Sequence, residues 1–247
     1  MDERIETTLR SLRARHHNGI FAENSQDAVK KIMELIPIDA VVGRGDSTTV
    51  AQLGVGQALK KRGTILLDAF EISGVYGGMK EVQEARSRLI MESAICDVFL
   101  TGSNALTQDG RLVNVDASGN RVAGMIWGHP ISVIVVGINK VVRDLDEAFH
   151  RIRDIIAPNH IRIRSVELGG RRRQTPCVIT GQCHDDECRH PDRACNVFTI
   201  IEGKPSETKI HVIVVNEDLG LGWDASWPQE RIDKIKENYK RYVWVPR

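Results

Sequence analysis

Two short runs of apolar residues set the frame of this 247-residue chain. CDVFLTG, from Cys96 to Gly102, and ISVIVVG, from Ile131 to Gly137, are rich in β-branched residues and close on a glycine. Continuous runs of this length belong to strands buried on both faces, as in a parallel sheet. Shorter runs predict further strands over 38–42, 64–67, 197–202 and 209–216, the last two joined by the turn GKPSE. Between strands the apolar period lengthens to that of helices. Val29, Ile32, Met33 and Ile36 recur at i, i+3, i+4 and i+7 behind an N-cap signal at Asn24 or Ser25, and Pro37 stops that helix. Residues 3–16, about 47–62 and 79–93 read as helices too. Asp144-x-x-Glu147 is a capping box for a helix ending before Pro158, and Ser226 with Gln229 opens a last helix to about Arg241. This alternation up to residue 157 predicts a doubly wound, mainly parallel α/β sheet. Asp109-Gly110 is a two-residue hairpin signal and a Ser118-Gly119-Asn120 turn follows, so 104–126 should be an antiparallel meander inserted on that sheet.

Polar groups collect where the predicted strands end, and open α/β sheets bind ligands beyond those carboxyl ends. Gly43, Gly45, Asp46, Ser47, Thr48 and Thr49 lie in GRGDSTT, between a strand and a helix. Backbone N–H groups and hydroxyls at such a turn make an anion site, although Asp46 or Ser47 could equally serve only as the cap. Ser103 and Asn104 follow the first long run; Asn139 and Lys140 follow the second. Gly43, Gly45, Ser47, Thr48, Asn104 and Lys140 are therefore the expected contacts of a small anionic metabolite. The pattern is neither a Walker loop nor GxGxxG, which argues against a nucleoside triphosphate or dinucleotide. The loop 68–78 is long and glycine-containing, and carries Glu71 and Tyr76, as functional loops do. Glu217, just past the last strand, is a candidate catalytic acid/base, or else a structural carboxylate that ties down a loop or pairs with Lys140.

A net charge of +1 offers no field for nucleic acid or an anionic membrane. No apolar run approaches the ~20 residues of a spanning helix and the N-terminus has no apolar leader, so a cytoplasmic protein is expected. Five cysteines matter more. Cys96 opens a buried strand and reads as core; Cys177, Cys183, Cys188 and Cys195 are spaced C-x5-C-x4-C-x6-C. In a cytosolic chain such a cluster is more often metal-binding than disulfide-bonded. Sulfur ligands suit a [4Fe–4S] cluster or structural zinc, and wide gaps without a C-x2-C knuckle favour the cluster; reduced thiols without metal are the third option. Arg162, Arg164 and Arg171-Arg172-Arg173, just upstream, are a solvated face or an anion- or partner-binding patch.

The segment TGSNALTQDGRLVNVDASGNRVAG, followed by VIVVGINKVV, resembles the signature of the LUD (lactate utilisation) domain family, over roughly residues 1–222. The resemblance implies a ribose-5-phosphate isomerase/CoA-transferase-like fold, with a Gly/Ser/Thr loop at the GRGDSTT position. It also implies a cysteine-rich segment, similar here at C-x5-C and C-x6-C-N. Two departures stand out. This chain has GHP at Gly128–Pro130 where the family has GP, and its middle cysteine gap is four residues rather than two, which makes His184 or His190 alternative ligands.

The expected molecule is thus an α/β domain over 1–222 with a cysteine-rich metal loop at 177–195, and a terminal helix and aromatic tail over 223–247. The first functional expectation is an iron–sulfur accessory or electron-relay component in oxidation of lactate or a related 2-hydroxy acid, with a redox partner protein. The second is a stand-alone isomerase- or transferase-like enzyme on a small anionic metabolite such as a sugar phosphate or acyl-CoA; the third is a binding module with structural zinc. The thin Leu9/Leu12 stripe of the first helix and the aromatic tail (Trp223, Trp227, Tyr239, Tyr242, Trp244) should be poorly buried in a lone domain, so a homodimer or docked partner is expected to cover them.

Overall fold

The computed structural model describes residues 2–71, 79–170, 173–183 and 188–245. The chain opens with α1 (Glu3–Ala14), β1 (Asn18–Ala22) and α2 (Ser25–Leu35), then β2 (Val42–Arg44), α3 (Thr48–Leu53), α4 (Val55–Arg62), β3 (Leu66–Leu67) and α5 (Met79–Ser93). After these come β4 (Val98–Gly102), β5 (Ala105–Thr107), β6 (Leu112–Asp116), α6 (Asn120–Ile126), β7 (Ile131–Gly137) and β8 (Val141–Val142). The last part holds α7 (Leu145–His150), α8 (Ala157–Arg162), α9 (Pro176–Thr180), β9 (Val197–Ile201), β10 (Lys209–Val215) and α10 (Gln229–Tyr242).

The central sheet has six strands, all parallel, in the order β1-β10-β7-β4-β2-β3. Its longest runs are apolar throughout because both faces are covered. Val133, Val135, Ile213 and Val215 face α2, α3 and α4; Ile134, Val136, Val212 and Val214 face α1 and α6. A second sheet, β8-β5-β6-β9, stands beside it. The Asp109-Gly110 turn closes the antiparallel β5–β6 hairpin as expected, and β9 adds to β6 antiparallel. Its other face packs on the helices after residue 145 and on α10, through Ile152, Ile156, Ile232 and Ile235.

Several elements differ from the sequence reading. β1 is a strand that its half-polar NGIFA sequence does not announce; it forms because β10 supplies a parallel edge. Strands 197–201 and 209–215 are not a hairpin but belong to different sheets. Residues 120–126 are helical, so the insertion is a hairpin plus a helix rather than a meander. The helix after the GRGDSTT turn breaks at Gly54 into α3 and α4. The helix begun by Asp144 does not stop before Pro158. It runs on to Glu167 through two wider, π-type stretches, Arg151–Ile156 and Ile163–Glu167, and Asn159 Nδ2 donates to the Ile155 carbonyl (2.7 Å) near the missing proline N–H. α10 starts after Pro228 rather than from Ser226, whose hydroxyl instead donates to Asp224.

Much of the two segments expected to need a partner packs on its own chain, while Tyr242 stays exposed and Trp227 and Trp244 are partly so. Ile5, Leu9 and Leu12 are buried under the sheet, and Trp223 and Tyr239 lie in the core. Among the described residues no helix is long and apolar enough to cross a membrane.

Candidate functional site

A cavity of about 330 Å³ opens at the carboxyl ends of the central strands. Asp46, Ser47, Thr48 and Thr49 reach it from the end of β2, Ser103 and Asn104 from β4, Lys140 from β7 and Gly220 from β10. Four of the expected contacts, Ser47, Thr48, Asn104 and Lys140, therefore share one wall. Lys140 Nζ donates to Thr49 Oγ1 (2.8 Å) and to the Ser103 carbonyl (3.0 Å), tying two strand ends together. Burial, with the Arg121 charge adding to it, pulls its pKa down to about 7.

The other expected contacts do different work. A Cβ on Gly43 would lie 2.2 Å from the Ser93 carbonyl, and one on Gly45 2.7 Å from Thr101 Oγ1, so both glycines let the strand pack against its neighbours and neither lines the cavity. Ser47 is the cap of α3: its Oγ accepts from Val50 N (3.3 Å). Arg44 lies beneath, paired with Asp68 (2.5 Å) and donating to the Ser47 carbonyl (3.3 Å), which shapes the turn. Glu217 is outside the lining. Its two oxygens accept from Ser25 N (2.9 Å) and Ser25 Oγ (2.5 Å), so it anchors the start of α2, the structural alternative weighed for it.

The rest of the wall is basic and comes from later in the chain. Arg86, Arg121, Arg164 and Arg173 line it, against Asp46 and Asp116. Arg121 is spent internally, on Asp116 (2.6 Å), Asn104 Oδ1 (2.7 Å) and the Gly102 carbonyl (2.8 Å). Arg164 lies 3.8 Å from Asp46 and 4.9 Å from the Trp244 ring centre; Arg86 stacks on the same ring at 3.6 Å. Burial raises the pKa of Asp46 although Arg164 opposes it. His160 Nδ1 meets Tyr239 Oη (2.5 Å), its Nε2 meets Arg164 (2.9 Å), and Tyr239 bonds Thr48. Burial, with Arg164 adding to it, holds His160 far below its ordinary pKa, so it is neutral and accepts from Arg164. The basic stretch at 162–173 therefore contributes Arg164 and Arg173 to the cavity wall, while Arg171 and Arg172 lie outside the described residues. So do Tyr76 and His184.

His160 is absent from the sequence expectation, and Tyr239 and Trp244 enter it only as part of the aromatic tail, not as site residues. Tyr239 continues the Ile232/Ile235 spacing and looks like packing, and His160 follows Pro158, where the helix was expected to have ended. The i, i+4 spacing of His160 and Arg164 is the signal that a continuous helix would have exposed.

A second cavity, of about 30 Å³, is bordered by Cys177, Cys183, Cys188 and Cys195 together. Arg193 holds its rim, donating to the Cys188 carbonyl (2.6 Å), the Cys195 carbonyl (2.9 Å) and Cys195 Sγ (3.5 Å). Asn196 bonds back to β6, N to the Asp116 carbonyl at 3.0 Å. His190 is not in this lining; its ring accepts from Asp192 N (3.1 Å). Among the described residues no group of three or more His, Cys, Asp or Glu side chains is arranged to hold a metal ion. Cys96 is core, as expected, its Sγ bonding the Ser93 and Val98 carbonyls (both 3.0 Å). The two cavities share Ala157, Ile161 and Ala194 as a common wall.

The parallel sheet, with an arginine-lined cavity at its carboxyl ends, defines the class: an α/β protein whose candidate site lies at the strand ends. The LUD domain model matches residues 5–215, and the chain belongs to this family, which is associated with lactate utilisation. Among solved structures it is similar to a DUF162 family protein from Deinococcus radiodurans, with 13% identity and a TM-score of 0.42 over 87% of this chain and 99% of that one. No curated protein gives a significant match.

Proposed function

We propose that this protein binds a small 2-hydroxy or 2-oxo carboxylate in the basic cavity, beside a [4Fe–4S] centre held by Cys177, Cys183, Cys188 and Cys195, and acts as an accessory or electron-relay component in oxidation of lactate or a related acid. The observation that carries this reading is the common wall: Ala157, Ile161 and Ala194 separate the anion cavity from the cysteine cavity by one layer of side chains. What supports the group is donor chemistry: four cysteines border one space and the Arg193 guanidinium beside Cys195 would offset thiolate charge, and the four side chains would have to draw together to hold it. When bound, such a cluster accepts and passes on single electrons.

The chain's own residues handle the acid. Arg86 and Arg164, oriented by the Trp244 ring, supply fork-shaped donors for a carboxylate. Thr48 is held by Tyr239 and Thr49 by Lys140, so the hydroxyls facing the cavity are fixed. Lys140 offers a basic nitrogen for the proton of a substrate hydroxyl. No glycine-rich phosphate loop is present in the described lining, which favours a compact carboxylate over a nucleotide-bearing ligand.

Anaerobic purification followed by iron and sulfide analysis, visible absorption and electron paramagnetic resonance tests the centre; calorimetry with lactate and pyruvate tests the cavity. Brown protein that bleaches on reduction, with millimolar or tighter carboxylate binding, is expected. Colourless zinc protein, or a cavity indifferent to both acids, would discard the reading.

A further inference from the structure

Lys140 is placed in a way that anion binding alone does not require. Only 6% of the residue is exposed, and Nζ makes two protein contacts, to Thr49 Oγ1 at 2.8 Å and to the Ser103 carbonyl at 3.0 Å. Among the described residues no carboxylate pairs with it; the charged group acting on it is Arg121, itself a cation. A neutral amine has two hydrogens, and two acceptors use them. The remaining tetrahedral position, the lone pair, has no hydrogen bond to the described residues, and Lys140 lines the cavity. Gly220 keeps that approach open: a Cβ there would lie 2.6 Å from Nζ and 2.6 Å from Thr49 Oγ1.

We propose that Lys140 is a nucleophilic amine that forms an imine with the carbonyl carbon of a 2-oxo carboxylate held by the cavity arginines. This rests on the carboxylate reading above. The nitrogen lone pair bonds to C2 of the acid, and the carbonyl π pair moves to oxygen. The resulting carbinolamine loses water, made of that oxygen and both amine hydrogens, and leaves C=N. Thr49 Oγ1, already bonded to the nitrogen, is the hydroxyl positioned to pass these protons. No oxidant or reductant is consumed. A desolvated lysine beside another cation is the standard way to obtain a neutral amine near pH 7, and the lowered pKa of Lys140 agrees with the geometry.

The test is reductive trapping. Intact full-length protein is treated with pyruvate and sodium borohydride, which adds hydride to the imine carbon and fixes a secondary amine, and is then digested with trypsin. Modified Lys140 resists cleavage, so the adduct is expected on the peptide 122–143. It should be suppressed by excess lactate, which has no ketone at C2, and be absent from Lys140→Arg and Lys140→Met. Comparing two variants by circular dichroism guards against misfolding of either. Adducts spread over other lysines, or none on Lys140, would overturn the imine. Calorimetry with lactate then separates the two ideas: lactate binding without a pyruvate adduct overturns the imine alone, and absence of both removes the carboxylate reading with it.

Discussion

Arg44 and Asp68 form an ion pair whose side chains are only 6% and 4% exposed, directly under the turn that carries Ser47. Removing one partner strands the other charge out of water, so Arg44→Met should cost about 3–5 kcal/mol in chemical denaturation, whereas replacing both residues together should cost much less. Lys140 makes the opposite contribution. Its folded pKa, about 7, is below the ordinary lysine value of 10.5, so between these pH values the unfolded chain binds more protons. Stability should therefore rise with pH across that window, by at most about 1.4 kcal/mol per unit from this group, and the burial penalty is complete only below pH 7. Denaturation of wild type and Lys140→Met at pH 7 and 9 should show the shallower slope in the variant. At this scale the sequence was half legible. Strand-end polar residues such as Asn104 and Lys140 do reach the cavity because a parallel sheet delivers its strand ends to one edge. Glu217, equally at a strand end, is instead spent on Ser25, and nothing local distinguishes the two cases.

The long buried strands and the Asp109-Gly110 hairpin were readable because their signals are local: uninterrupted β-branched runs and turn chemistry. β1, α6 and the helix through Pro158 were not, since each depends on neighbours that local periodicity does not contain. The cysteine segment is the element most open to test. Between Gly181 and Asn196 it has almost no apolar residues, so burial cannot order it, and a metal-linked crosslink can. Single Cys→Ser changes at 177, 183, 188 or 195 should lose bound metal and open 177–195 to protease while the melting of the central sheet changes little. α10 should behave differently. It buries Ile232, Ile235 and Tyr239, each contributing roughly 1.5–3 kcal/mol, and Tyr239 holds Thr48. Deleting residues 229–247 should lower the thermal midpoint and abolish carboxylate binding together, whereas Tyr239→Phe should weaken binding severalfold with a small stability loss.

Across the whole molecule, the central sheet draws its strands from both ends of the sequence. β10, completed only at residue 215, lies between β1 and β7. On a ribosome, β1 therefore emerges long before the one strand that can hold it in register, and β7 presents a long apolar edge that waits for the same strand. Neither β1 nor that edge of β7 is paired until residues 209–215 have been made. The nascent chain thus carries unsatisfied strand edges until β10 emerges, a state that invites pairing with other chains. Release of chains truncated before residue 209 should give aggregates rather than a smaller folded protein, and the full-length chain should gain soluble yield when translation is accompanied by a chaperone that shields exposed strands. By its strand order, this sheet closes only when its last strand arrives.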